Sequence, residues 1–197
     1  MRLTVPLVLA SASPRRLHLL KAMGLDPVVH PADVDERMVG EETAEGMTKR
    51  LALAKAGAVA PSRPNSLVLG SDTVVVIDGA ILGKPDSPEE AARMLRTLSG
   101  RTHQVMTSVG LIHNATDRSV VGLGVTDVTF DKLTDTQISR YVDSGAPLDK
   151  AGSYGIQDDQ GAFFVNHIRG DYYTVVGLPL NLLYRLVVSS FPDLLSS

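Results

Sequence analysis

The chain has 197 residues, 44% of them hydrophobic and 21% charged, with a formal net charge of -3 and no cysteine. That length suits one domain or two small lobes, and the mild acidity argues against a general nucleic-acid binder, which carries a basic surplus. Without cysteine there is no disulfide framework, thiolate nucleophile or cysteine metal site, which fits a reducing cytoplasm and also permits other compartments.

The opening run Leu3-Thr4-Val5-Pro6-Leu7-Val8-Leu9-Ala10 has a superficial likeness to a weak signal peptide. Charged, helix-starting residues follow at once, and no apolar run is long enough to insert into a membrane. It reads as a first core strand, about Leu7 to Ser11. Ser11-Ala12-Ser13-Pro14-Arg15-Arg16 then opens a helix to about Met23. Proline suits the first helical turn, the free N–H groups and dipole of that turn attract anions, and arginine adds a planar fork of donors. An ordinary serine cap with solvated arginines would look the same. Leu17, Leu20 and Met23 form the expected apolar face of this helix, and Gly24 ends it.

A short strand is predicted at Pro27-Val28-Val29-His30, followed by a polar, acidic connection to Glu42. A second helix starts after Thr43 and turns Met47, Leu51 and Ala54 to the core, with Pro61 to Asn65 closing the unit. Ser66 to Gly70 is a strand, and Val74 to Ile77 either continues it or pairs with it across Ser71-Asp72-Thr73. Asp78-Gly79 signals a hairpin. Ser87-Pro88-Glu89-Glu90 starts a helix that stops near Gly100. Two long strands, about Gln104 to His113 and Ser119 to Phe130, flank Asn114 to Asp117. Thr134-Asp135-Thr136-Gln137 is a capping box for a further helix. Residues 146–162 are rich in glycine and poor in periodicity, and read as an ordered binding loop or a disordered segment. A strand from Phe163 to Ile168 and a helix from Leu180 to Val188 complete the chain. This order predicts an α/β fold with a mixed, twisted sheet and a groove between two regions. The glycine fingerprints of dinucleotide folds and phosphate loops are missing.

Polar islands fall at the predicted element ends, and together they suit phosphoanhydride hydrolysis. Arg15, Arg16, Lys84 and Lys55 could balance a triphosphate, while Glu36 and Asp72 could hold a hard divalent cation through oxygen. Asp72 reads equally as a turn aspartate or as a carboxylate that deprotonates water. Lys55 on an Ala/Leu-rich helix also reads as a snorkelling surface lysine. The five histidines have no metal-ligand spacing. With no tryptophan and few aromatics, a stacking platform for nucleic acid is unsupported, and Tyr154 is the aromatic expected nearest a ligand.

Ser11 to Arg16, Asp35-Glu36, Ser71-Asp72-Thr73, Gly83-Lys84-Pro85, Asp149 to Gln157, and Gly170-Asp171-Tyr172 through Gly177-Leu178-Pro179 resemble, in order, the Maf nucleotide pyrophosphatases. The likeness spans nearly the whole chain, 1–197, as one Maf-like domain divided into two lobes. It implies an elongated mixed sheet with flanking helices, two lobes around a nucleotide-binding cleft, a cytoplasmic setting and a homodimer. It also implies hydrolysis of nucleoside triphosphates between the α and β phosphates with a divalent cation, Mg²⁺ or Mn²⁺. By the same resemblance Asp72 is the proton acceptor and a metal ligand, Glu36 is metal-associated, and Ser13, Arg16, Lys55 and Lys84 handle phosphate. Arg15, Thr73 and Gln157 match positions of base selection in the dTTP/UTP branch. The Asp149 to Gln157 stretch favours that branch over the 7-methyl-GTP or broad-specificity alternatives. A non-catalytic nucleotide sensor in cell division is the rival from another class. Neither a membrane nor a stable nucleic-acid partner is expected.

Overall fold

The computed structural model of the protein describes residues 1–158 and 160–196. Its strands are β1 (Leu7–Leu9), β2 (Val28–Val29), β3 (Leu67–Ile77), β4 (Ala80–Leu82), β5 (Thr102–His113), β6 (Arg118–Phe130) and β7 (Val165–Arg169). Six α-helices accompany them among the described residues: α1 (Pro14–Ala22), α2 (Ala44–Val59), α3 (Pro88–Leu98), α4 (Asp135–Asp143), α5 (Tyr172–Val176) and α6 (Leu180–Ser190). The strands form one sheet in the order β2-β1-β3-β5-β6-β7, with β4 paired to β3 off that path. It is mixed, since β1 runs parallel to β2 and β3 while β4 and β7 are antiparallel to β3 and β6. Among the described residues no helix is long and apolar enough to cross a membrane.

Local chemistry sets many of the element ends. Ser13, Thr43, Ser87 and Thr134 each accept a backbone N–H at a helix start, and Thr134 with Gln137 forms the full capping box. Asp78 and Gly79 both have positive φ, 50° and 79°, which gives the hairpin turn between β3 and β4 its twist.

The chain divides into two compact units, Met1–Asp72 with Thr107–Gly124 and Gly177–Ser197, and Thr73–Met106 with Val125–Val176. In the first, α2 packs on the sheet with almost no spacing. A Cβ on Gly70 would lie 2.1 Å from the Ala52 carbonyl oxygen, and one on Gly110 would lie 3.0 Å from it. Glycine is required at Gly70 because the backbone of a helix occupies the space of a side chain. The buried face of α2 is Thr48, Leu51, Ala52, Lys55, Ala56 and Val59. Met47 and Ala54 are only partly buried, so the face is rotated from the predicted one, and Lys55 lies on its inward side. In α1 the buried pair is Leu19 and Leu20, whereas Leu17 and Met23 are partly exposed.

The second unit has its own core, with Leu95, Leu98, Phe130, Ile138 and Tyr141 at most 2% exposed. Tyr154 belongs to that core and is not a ligand-facing aromatic. Its hydroxyl lies 2.8 Å from His103 Nε2, and its ring meets Phe130 edge to face at 4.7 Å. Of the remaining aromatics, Phe164 is buried, Phe163 is 76% exposed and Tyr172 and Tyr173 are partly at the surface. Residues 146–149 and 151–153 form short 3-10 turns, so the segment is ordered and the disordered reading falls.

Candidate active site

β3 runs unbroken through Ser71, Asp72 and Thr73. Asp72 is therefore a strand residue, not a turn aspartate, and it is buried at 7% exposure. Alternate strand residues share a face, so Gly70 and Asp72 both look toward α2. Three residues after Ala52, which Gly70 admits so closely, Lys55 reaches the Asp72 carboxylate, with Nζ 2.8 Å from Oδ1. The same ammonium lies 2.7 Å from Glu36 Oε1. One buried cation thus bridges two carboxylates contributed by a loop and a strand.

The acidic connection that carries Glu36 is itself pinned. Arg50 of α2 donates to the Glu42 carboxylate and to the Arg37 carbonyl, and Val39 N–H donates to Glu42 Oε1. Hydrogen bonds from Arg50 and then Val39 hold the Glu42 carboxyl down to about 2. Asp35 is likewise held down to about 2 by the Arg37 side chain and then by its backbone N–H. Asp35 and Glu42 are thus consumed locally, and Glu36 is the carboxylate of this loop that joins Lys55.

At the start of α1, Ser13 caps the helix by accepting Arg16 N–H. Ser11 Oγ accepts from Ser13 N–H at 3.2 Å and from the Arg16 guanidinium at 3.0 Å. Arg16 Nε also donates to the Gly177 carbonyl at 2.9 Å, and Ser71 Oγ donates to that carbonyl at 3.3 Å. Burial lowers the Arg16 pKa from its ordinary value; Asp72 opposes that fall, Arg15 adds to it, and Glu36 opposes it weakly. The guanidinium thus senses both carboxylates of the bridge. Gly177 and Ser71 escaped notice as positioning groups, because their contribution is made by a carbonyl and by a bond 106 residues long.

Ser13, Arg15, Arg16, Glu36, Lys55 and Asp72 all belong to the first unit. Thr73, Lys84 and Gln157 belong to the second. There, Lys84 is exposed in the turn before α3, and Gln157 is exposed in the segment that follows Tyr154. Gly152 N–H donates to the Gly83 carbonyl at 3.0 Å, which ties the Lys84 turn to the Gln157 segment. No group of three or more His, Asp or Glu side chains suited to a metal ion occurs among the described residues. Glu36 and Asp72 bring two carboxylates together on Lys55.

Comparison with known proteins gives this arrangement its context. The model of Maf-like proteins matches residues 6–189. The chain belongs to the Maf family. It is 46% identical over 197 residues to the dTTP/UTP pyrophosphatase of Salinibacter ruber, covering 100% of this chain and 97% of that one. It is 52% identical over 174 residues to the dTTP/UTP pyrophosphatase of Moorella thermoacetica, covering 88% and 89%. Among solved structures, the Ham1 protein of Staphylococcus aureus has a similar fold, with a TM-score of 0.54 at 17% identity over 93% of this chain and 98% of that one. The six quoted motifs fall on the start of α1, the loop that carries Glu36, the middle of β3, the connection before α3, the 149–157 segment, and the stretch that contains α5.

Proposed function

We propose that the protein hydrolyses dTTP and UTP between the α and β phosphates, yielding the nucleoside monophosphate and pyrophosphate. The observation that supports it most directly is the Glu36–Lys55–Asp72 bridge, in a chain nearly half identical to relatives named dTTP/UTP pyrophosphatase. Asp72 accepts a proton from the attacking water as its oxygen bonds to the α phosphorus. The bond from that phosphorus to the bridging oxygen breaks, and pyrophosphate leaves. Phosphoryl transfer of this kind depends on positioning and electrostatic stabilisation, so no protein nucleophile is needed.

Arg16, held by Ser11 and Gly177, presents a fixed positive charge, and Ser13 and Lys84 supply further phosphate donors. Lys55 offsets the repulsion between the two carboxylates and sets their relative position. Arg15, Thr73 and Gln157 serve base selection. A glutamine amide both donates and accepts, which matches the alternating carbonyl and N–H edge shared by uracil and thymine.

The donor chemistry fits a hard divalent cation, which takes one or two carboxylates and completes its shell with water and phosphate oxygens. Glu36 and Asp72 would hold Mg²⁺ or Mn²⁺, which when bound supplies charge neutralisation at the phosphates. With this reading go the cytoplasmic setting and the homodimer that the family resemblance implies.

The test is pyrophosphate release from dTTP, UTP, CTP, GTP, ATP and 7-methyl-GTP, each with Mg²⁺, Mn²⁺ or a chelator. Cation-dependent conversion of dTTP and UTP to monophosphates is the expected result. Preference for 7-methyl-GTP would overturn the base assignment, and folded protein that binds nucleotides without turning them over would overturn the reaction.

A further inference from the structure

Lys150 sits inside the 149–157 motif, and its ammonium is held within its own unit. It is 8% exposed, and its ammonium meets three acceptors of its own unit: the Ala146 carbonyl, Asp149 Oδ1 at 2.8 Å and Asp158 Oδ2 at 3.2 Å. Lysine has three N–H donors, so this set accounts for all of them.

Asp158 is also held from the other side. Tyr141, buried on α4, donates its hydroxyl to Asp158 Oδ2 at 2.8 Å and accepts the Gly155 N–H at 3.1 Å. Asp158 N–H in turn bonds the Gly155 carbonyl at 3.1 Å, closing a tight turn over residues 155–158. Gln157 is the third residue of that turn. Its side chain is exposed and makes no bond to the described residues. One hydroxyl therefore joins the two ends of the turn on which the proposed base-reading amide stands.

The approach to the turn is equally constrained. Ser153 is buried with φ of +62°, a left-handed conformation that costs a non-glycine residue energy. A Cβ on Gly152 would press on Val75 at 2.7 Å, and one on Gly155 would lie 2.7 Å from the Asp158 carboxylate.

We propose that Tyr141, Asp158 and Lys150 are positioning residues for substrate selection: they clamp the turn at residues 155–158 and so fix the direction of the Gln157 amide. This rests on the reading of Gln157 as the base-selecting group. Burial, and after it the hydrogen bond to the Asp158 carboxylate, raises the Tyr141 pKa, so its hydroxyl stays a donor throughout the working range.

The experiment compares kcat/KM for dTTP, UTP and CTP in wild type, Tyr141→Phe, Gln157→Ala and the double variant. CTP carries an amino group where thymine and uracil have a carbonyl. Tyr141→Phe is expected to lower the dTTP-to-CTP preference by about tenfold, in the range of one coupled hydrogen-bonding pair. In the double variant the preference should equal that of Gln157→Ala alone. An unchanged preference in Tyr141→Phe, with Gln157→Ala altering it, overturns the clamp and leaves the Gln157 reading intact. An unchanged preference in Gln157→Ala overturns both. Equal loss on all three nucleotides in Tyr141→Phe marks a merely structural tyrosine and also overturns the clamp. Should Tyr141→Phe fail to accumulate folded, Asp158→Asn carries the same comparison, since it preserves shape and removes the Lys150 ion pair.

Discussion

Lys55 carries its charge to a place where only two carboxylates make the charge tolerable. Breaking a buried ion pair by removing one partner leaves the other uncompensated, at a cost of about 3–5 kcal/mol. Asp72 is as buried as Lys55, whereas Glu36 is half exposed and can turn to water. Lys55→Met should therefore lose about 3 kcal/mol in urea unfolding, the low end of that range, and most of its turnover. The complementary change, Asp72→Asn, keeps the volume and an acceptor for Lys55 while removing the proposed proton acceptor. It should leave the circular dichroism spectrum in place and lower kcat by about 10²–10⁴-fold, the usual weight of a general base. Full turnover in Asp72→Asn would end its assigned role.

At the scale of elements, the seating of α2 decides whether Lys55 reaches Asp72 at all. Thr48 bonds Ser108 of β5, Ala52 rests on Gly70 and Gly110, and Lys55 follows one turn later. Gly70→Ala would drive a methyl into the Ala52 carbonyl and push the helix off the sheet. Overpacking of this kind costs about 1–3 kcal/mol, and activity should fall further than stability because the bridge opens. Gly57→Ala on the same helix is the contrast. Its Cβ would find only Ile112 at an ordinary 3.8 Å, so the better helix propensity of alanine should stabilise by up to about 1 kcal/mol. Thermal melts and kcat/KM of the two variants check both signs.

The same elements explain what could be read in the chain and what could not. Ser87-Pro88 with Glu90, Thr134 with Gln137, and Asp78-Gly79 act within four residues, so their helices and hairpin were legible. Asp72 in mid-strand was not, because a buried aspartate in a strand makes sense only with Lys55 beside it, 17 residues away. The five-residue α5 went unforeseen, since it depends on the Asp171 carboxylate accepting the Thr174 N–H. Tyr154 misled for a related reason: its burial depends on His103, 51 positions distant. The candidate site residues could be named from an ordered set of motifs, but the bonds among Tyr141, Asp158 and Lys150 span distances that spacing does not encode.

For the molecule as a whole, acid sensitivity should trace to one histidine of the second unit. His103 is 2% exposed, its Nδ1 has no partner among the described residues, and burial lowers its pKa from 6.5 to about 4. A base whose folded pKa is depressed binds its proton more readily when unfolded. Its contribution is fully present above about pH 6.5 and is lost as pH falls toward 4, amounting to about 3 kcal/mol across that window. Asp35 and Glu42, with carboxyls held to about 2, act mainly below that window. Urea midpoints taken from pH 7.5 to 4.5 should drop steeply in wild type and much less in His103→Gln. Equal slopes would place the acid sensitivity elsewhere.

The unbroken course of β3 has a genetic consequence. Side chains on a strand alternate between faces, so one added or deleted codon between Leu67 and Gly70 would exchange the residues facing α2 for those facing away. Gly70 and Asp72 would be displaced together, losing at one stroke the room for the helix and the partner of Lys55. The β3–β4 hairpin tip at Asp78-Gly79 is under no such constraint, because a longer loop there changes no register upstream. A length change should therefore be tolerated at the tip and not in the strand beneath it, where the count of residues is fixed by the register.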